Sequence, residues 1–74
     1  MHKYIVTNED GMKRVTVGKL SKALQAVLSP KATVVDYDIM PSGHYCFRVN
    51  VHYTYEKNGY VYSQTVDVED HGEL

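Results

Sequence analysis

One cysteine and four histidines are the side chains of this chain best suited to nucleophilic or metal chemistry, and their spacing limits what they can do. Cys46 with a histidine base would form a nucleophilic pair, but such a pair must first converge in space. His52 shares a strand face with Cys46 yet lies six residues away, about 20 Å along an extended chain. His44 belongs with the turn Pro41-Ser42-Gly43-His44. Asp38, Cys46 and His71 fall in one cross-strand row in the register expected below, with His44 nearby, and all are ligand types for zinc or a related metal. No Cys-x-x-Cys or His-x-x-x-His spacing pre-positions two of them, so no metal is assigned. Asn8-Glu9-Asp10-Gly11 lacks phosphate-loop spacing followed by a helix and reads as a turn. The expectation is a protein that is not an enzyme and takes no cofactor.

Side chains suited to recognition are more numerous. Tyr53, Tyr55, Tyr60 and Tyr62 lie on one face of two alternating runs that flank Asn58-Gly59. Tyrosine gives rigid apolar area with a hydroxyl for hydrogen bonding, which suits a protein interface or the closed end of a core. It also stacks on bases. The opposite face carries Asp36, Asp38, Asp67 and Glu69, an acidic strip able to attract a basic protein surface. The expected register sets Arg48 between Asp36 and Glu69, with Asn50 beside Asp67 in the next row. The net charge of −1 conceals an uneven distribution: residues 1–31 hold six Lys or Arg against two acids, and residues 32–74 hold two against seven. Lys13, Arg14, Lys19, Lys22 and Lys31 are therefore the candidate nucleic-acid contacts, although a pI near 6.4 falls short of the usual basic footprint.

The elements that must position these groups follow from periodicity. Residues 4–7 and 12–17 are short β-rich runs, and taking Asp10-Gly11 as a two-residue turn sets Val6 opposite Val15 and Tyr4 opposite Val17. Leu20, Ala23, Leu24, Val27 and Leu28 form an amphipathic helix stripe about three turns long, with Lys19, Ser21, Lys22, Gln25 and Ser29 on the other face. Thr16 is its candidate cap and Pro30 its terminator. Residues 33–40 alternate with Val35, Tyr37 and Ile39 on one face, against Asp36 and Asp38 on the other. The next strand sets Tyr45, Phe47, Val49, Val51, Tyr53 and Tyr55 on one face, broken across the hairpin only by Gln64. A type I′ turn at Asn58-Gly59 pairs Tyr55 with Tyr62, Val51 with Val66 and Val49 with Val68. The expected fold class is α+β: a small single domain over residues 1–74 in the order ββαβββ, an antiparallel sheet of four or five strands with one helix packed across one face. Residues 70–74 are expected to fray, and the strand order stays open.

A chain of 74 residues sits near the size where one core stabilises a fold only marginally, and a lone cysteine supplies no internal disulfide. Dimerisation or partner binding would offset that. No apolar run approaches a membrane span or a secretory signal, so the expectation is a cytoplasmic protein with no membrane partner. In size and layout the chain is similar to small inhibitors from phages and mobile elements, anti-CRISPR proteins among them, a likeness that covers no motif and carries over no residue. It implies a non-catalytic inhibitor or modulator acting by protein-protein contact on a larger protein or nucleoprotein complex. The alternative is a nucleic-acid-binding module built on the basic N-terminal half and the tyrosines, and a homodimer is compatible with either.

Overall fold

The computed structural model describes every residue except Ser42, Lys57 and Asn58. It is an α+β domain of one helix and five strands: β1 (His2–Thr7), β2 (Lys13–Gly18), α1 (Leu20–Ala26), β3 (Ala32–Pro41), β4 (Cys46–Tyr55) and β5 (Val61–Glu73). The strands form a single antiparallel sheet in the order β2-β1-β5-β4-β3. The last strand in sequence is thus the central one. Residues 70–73, expected to fray, belong to β5, and Asp70 and Glu73 pair with Tyr4 and His2 of β1.

Both strands that flank α1 lie at sheet edges, so the helix carries the chain across one face. Its apolar stripe supplies Ala23 and Leu24, and the following turn adds Val27 and Leu28. These pack on Val6 of β1, Val66 and Val68 of β5, Val49, Val51 and Tyr53 of β4, and Ala32 at the start of β3. Removing each of the Val and Leu side chains among them from water contributes about 1.5–3 kcal/mol.

The helix spans seven residues, not three full turns. Thr16 does not cap it: Thr16 lies in β2 opposite Tyr4, and the N-cap is Lys19, with no side-chain cap bond. At the other end Asn8, buried in the β1–β2 turn, donates from Nδ2 to the Val27 carbonyl at 2.7 Å. Gln25, expected on the solvated face, is half-buried and bridges the helix to β3. Its Nε2 donates to the Ala32 carbonyl at 2.7 Å, and its Oε1 accepts from the Val34 amide at 3.2 Å.

The first hairpin departs from its expected register by one residue. Val6 pairs with Arg14, Ile5 with Val15 and Tyr4 with Thr16. The Gly11 amide donates to the Asn8 carbonyl and the Asn8 amide to the Met12 carbonyl, each at 3.0 Å, so the loop is the three residues Glu9-Asp10-Gly11. A type I′ turn at Asp10-Gly11 needs positive φ at both residues, but only Gly11 has it, at 84°. The Asn8 side chain fixes the longer loop, because its Oδ1 accepts from the Asp10 and Met12 amides at 3.0 and 2.9 Å. A one-residue slip moves every side chain of β2 to the other face. Val15 is accordingly 59% exposed, while Val6 is fully buried.

The β4–β5 hairpin slips by two. Tyr53 pairs with Tyr62, Val49 with Val66 and Phe47 with Val68. An even slip preserves the faces, so the apolar side of both strands still meets the helix. The strands close at Thr54–Val61 around a loop longer than two residues. The expected Asn58-Gly59 turn centres on Asn58, which lies outside the described residues, and Gly59 has φ 73°. In β3 a bulge between Val34 and Asp36 leaves Val35 out of the ladder and 56% exposed, while Val34 and Tyr37 both pack on the core.

Candidate functional site

The tyrosine cluster forms where β4 ends and β5 begins. Alternation brings Tyr53 and Tyr55 to the helix side of β4 and Tyr62 to the same side of β5. Their rings pack as a triad: Tyr53 stacks on Tyr62 with centroids 5.9 Å apart, and Tyr55 meets Tyr62 and Tyr53 in T-shaped contacts at 5.3 and 5.7 Å. Such ring pairs add about 0.5–1.5 kcal/mol each beyond their burial. Exposure is graded across the group. Tyr53 is buried and plugs the core, Tyr55 is half-buried, and Tyr62 opens to solvent. Gln64 completes the inner end, with Nε2 3.5 Å from the Tyr53 hydroxyl.

Tyr60 lies just before β5 and is 69% exposed. Val61, directed to the face opposite Tyr62, is 63% exposed. Three consecutive apolar or aromatic residues, Tyr60 to Tyr62, therefore reach solvent on both sides of the hairpin end. The cluster closes the core with its inner ring and offers a contact surface with its outer ones.

On the sheet face away from α1, the two-residue slip rearranges the expected rows. Arg48 pairs with Asp67, Nε to Oδ1 3.3 Å, and does not sit between Asp36 and Glu69. Asn50 lies between Asp38 and Thr65, not beside Asp67. Asp36 stands opposite His52, and Asp38 lies 3.3 Å from His52 Nε2. Glu69 stands opposite Cys46 and 3.2 Å from His71 Nε2. The candidate row of Asp38, Cys46 and His71 is therefore not assembled. No group of three His, Cys, Asp or Glu among the described residues is placed to hold a metal ion. Cys46 is exposed, and His52 sits six positions along β4 from it.

The candidate nucleic-acid contacts fall into two places. Lys13 and Arg14 begin edge strand β2, Lys19 and Lys22 lie where α1 starts beside it, and Lys22 Nζ donates to the Val17 carbonyl at 3.2 Å. Lys31 precedes β3, the opposite edge of the sheet, where its carbonyl accepts from the Glu56 amide. The tyrosine triad lies on β4 and β5, apart from the β2 edge.

Periodicity missed an ionic clasp between the two ends of the chain. The Met1 amino group lies 2.6 Å from Glu73 Oε1, and His2 bridges Asp70 and Glu73 at 3.1 Å each. The Leu74 amide donates to the Met1 carbonyl at 2.7 Å, and the His2 ring stacks on Tyr4 at 5.6 Å. The hydrogen bond from His2 and then that from the Gly72 amide hold the Asp70 carboxyl below its ordinary range. The Met1 amino group does the same for Glu73. Burial, followed by the nearby Asp70 charge, pushes the Tyr4 hydroxyl up. His, Asp and Glu separated by most of the chain length give no spacing signal, so only the pairing of β1 with β5 reveals the clasp.

No helix among the described residues is long and apolar enough to cross a membrane. Comparison of the chain with protein-family models, with curated proteins and with solved structures finds no match.

Proposed function

We propose that this is a cytoplasmic, non-catalytic binding protein that inhibits or modulates a larger protein, with the end of the β4–β5 hairpin as its contact site. The observation that carries the reading is the run Tyr60-Val61-Tyr62, exposed on both faces at the end of the β4–β5 hairpin. Aromatic side chains anchored on one side and open on the other bind with little entropy loss, because packing already restricts their rotamers. Tyr62 has that form, fixed against Tyr53 and Tyr55 and open outward. The acidic residues Asp36, Asp38, Asp67 and Glu69 lie on the face away from the helix and add an electrostatic preference for a basic partner.

Capture of partners from host lysate by the tagged chain, washed at low and high salt, tests the reading against a Tyr60→Ser/Tyr62→Ser variant. One protein that survives high salt and loses more than about 2 kcal/mol of affinity with the variant is expected, in the range of interface hot spots. Unchanged capture by a variant with an intact circular dichroism spectrum would sink the hairpin end as the contact site. Nucleic acid that is retained at low salt and released at high salt would favour the Lys13, Arg14, Lys19, Lys22 and Lys31 set instead.

A further inference from the structure

The two edges of the sheet, β2 and β3, are finished differently. At β3 the chain closes its own edge. Gln25 acts there as a short substitute strand, with Nε2 donating to the Ala32 carbonyl at 2.7 Å and Oε1 accepting from the Val34 amide at 3.2 Å. A bulge follows at Val35, Asp36 Oδ1 accepts from the Tyr37 amide at 2.8 Å, and Pro41 has no amide to offer.

At β2 the edge stays open. The bond from the Asn8 amide to the Met12 carbonyl fixes which residues face β1, because hydrogen-bonded pairs alternate along an antiparallel ladder. Arg14, Thr16 and Gly18 therefore turn their backbone groups toward β1, and Lys13, Val15 and Val17 turn theirs to the free side. Exposed cations already cover two of the outward carbonyls: Arg14 Nη1 donates to that of Lys13 at 3.0 Å and Lys22 Nζ to that of Val17 at 3.2 Å. What remains is a row of amide donors set among Lys13, Arg14, Lys19 and Lys22, all exposed. Glu9 does not neutralise them, since its Oε1 is drawn to the Thr65 amide at 2.9 Å, and Asp70 and Glu73 are engaged by His2 and the Met1 amino group. Val15 and Val17 add uncovered apolar area on the face away from the helix, at 59% and 37% exposure.

We propose that the β2 edge binds an extended acidic segment of a partner protein as a sixth strand. The inference is independent of the hairpin-end contact. An added strand supplies the carbonyls that the outward amides lack, and its alternate side chains give specificity. Opposed residues share a face, so the segment is acidic where it meets Lys13 and Arg14, apolar where it meets Val15 and Val17, and acidic again at Lys19. The bonds of Arg14 and Lys22 to the edge carbonyls are exposed and exchange for bonds to carboxylates at little cost. A second copy of β2 does not fit, because it brings the same cations against the first set. The β3 strand of another copy carries Asp36 and Asp38, but its edge is closed by its own side chains.

A nuclear magnetic resonance titration of the isotope-labelled full chain tests the inference. The probe is the end-blocked peptide Asp-Ser-Val-Thr-Val-Glu-Glu, which in antiparallel pairing sets its valines opposite Val17 and Val15 and its glutamates opposite Arg14 and Lys13. Shifts are expected to concentrate at the amides of Lys13, Val15 and Val17, with slower solvent exchange there and weaker binding as salt rises. N-methylation of the peptide valine that faces Val15 removes a ladder bond and abolishes binding, whereas N-methylation of the threonine, whose amide points away from β2, leaves affinity within about twofold. Lys13→Glu/Arg14→Glu weakens the peptide at least about tenfold, and Asp-Ser-Val-Thr-Val-Lys-Lys restores binding to that variant. The N-methylated pair needs no change to the protein and decides the matter if the variant does not fold. No shift along β2 at millimolar peptide, equal loss with either N-methyl group, or indifference of a folded variant to charge reversal overturns the inference. An oligothymidylate that shifts the same amides while the peptide does not also overturns it and makes the edge a nucleic-acid contact.

Discussion

The two hairpins of this domain are built from the same kind of alternating sequence around a glycine-containing turn, yet they differ in what a slip of register does. In β4–β5 the pairing moves by two residues from the shortest-turn solution, and each apolar side chain keeps its face and changes only its neighbour. In β1–β2 it moves by one, and β2 turns over: Val15 and Val17 face away from the helix while Arg14 and Thr16 face the side of Val6. The side-chain period of a strand is two, so even slips are nearly silent to the core and odd slips are not. The odd slip is tolerated at β2 because it is an edge strand that adds no residue to the buried cluster, whereas β4 and β5 supply most of the sheet's share.

Substitutions can sharpen that contrast, from the largest effect to the smallest. Val66→Ala in β5 or Val6→Ala in β1 should each lower unfolding free energy by about 2–3 kcal/mol in urea denaturation, from two lost methyl groups and the cavity left behind. A loss below half a kilocalorie at Val66 would contradict the central place of β5. Asn8→Ala should cost about 1–3 kcal/mol, since the Val27 carbonyl and the Asp10 and Met12 amides lose their partner together. Proton chemical shifts of β2 would report whether the hairpin then relaxes toward the two-residue turn. Gly11→Ala places a methyl group in open space but forces positive φ on an L-residue, so a cost of about 1–2 kcal/mol is expected from backbone strain alone. Val15→Thr should change the stability of the monomer by less than about 0.5 kcal/mol. The two-residue register, with Val15 opposite Val6 in the core, requires a much larger loss.

The acid limb of stability reports the β1–β5 clasp. The Asp70 carboxyl is held below its ordinary value in the fold, so its contribution is complete above the ordinary carboxylate range. It is lost as pH falls through that range toward the lowered value. Asp70→Asn should flatten this part of a melting-temperature profile, and an unchanged profile would show that the clasp does not contribute. The Tyr4 hydroxyl, raised by burial, acts in the opposite sense: stability falls as pH climbs past the ordinary tyrosine value of 10.0.

Local periodicity in the sequence by itself determined the α+β class, the order ββαβββ, the core stripe of α1 and the apolar face shared by β4 and β5. Each depends on neighbours a few residues apart. It also identified the tyrosines at the hairpin end and the acidic residues of the opposite face. Their partners depended on loop length, and here the shortest-turn rule failed twice. At Asn8 a side chain holds a three-residue loop, and beyond Tyr55 the strands close on a longer connection. Only the tertiary structure decided that β5 enters between β1 and β4, which brings Asp70 and Glu73 to His2 and Arg48 to Asp67. The reason is physical: pairing β1 with β5 joins residues separated by most of the chain, and the apolar alternation of Val66 and Val68 fits either neighbour. What selects the central position is burial, because there β5 is enclosed by a strand on each side and by the helix layer above.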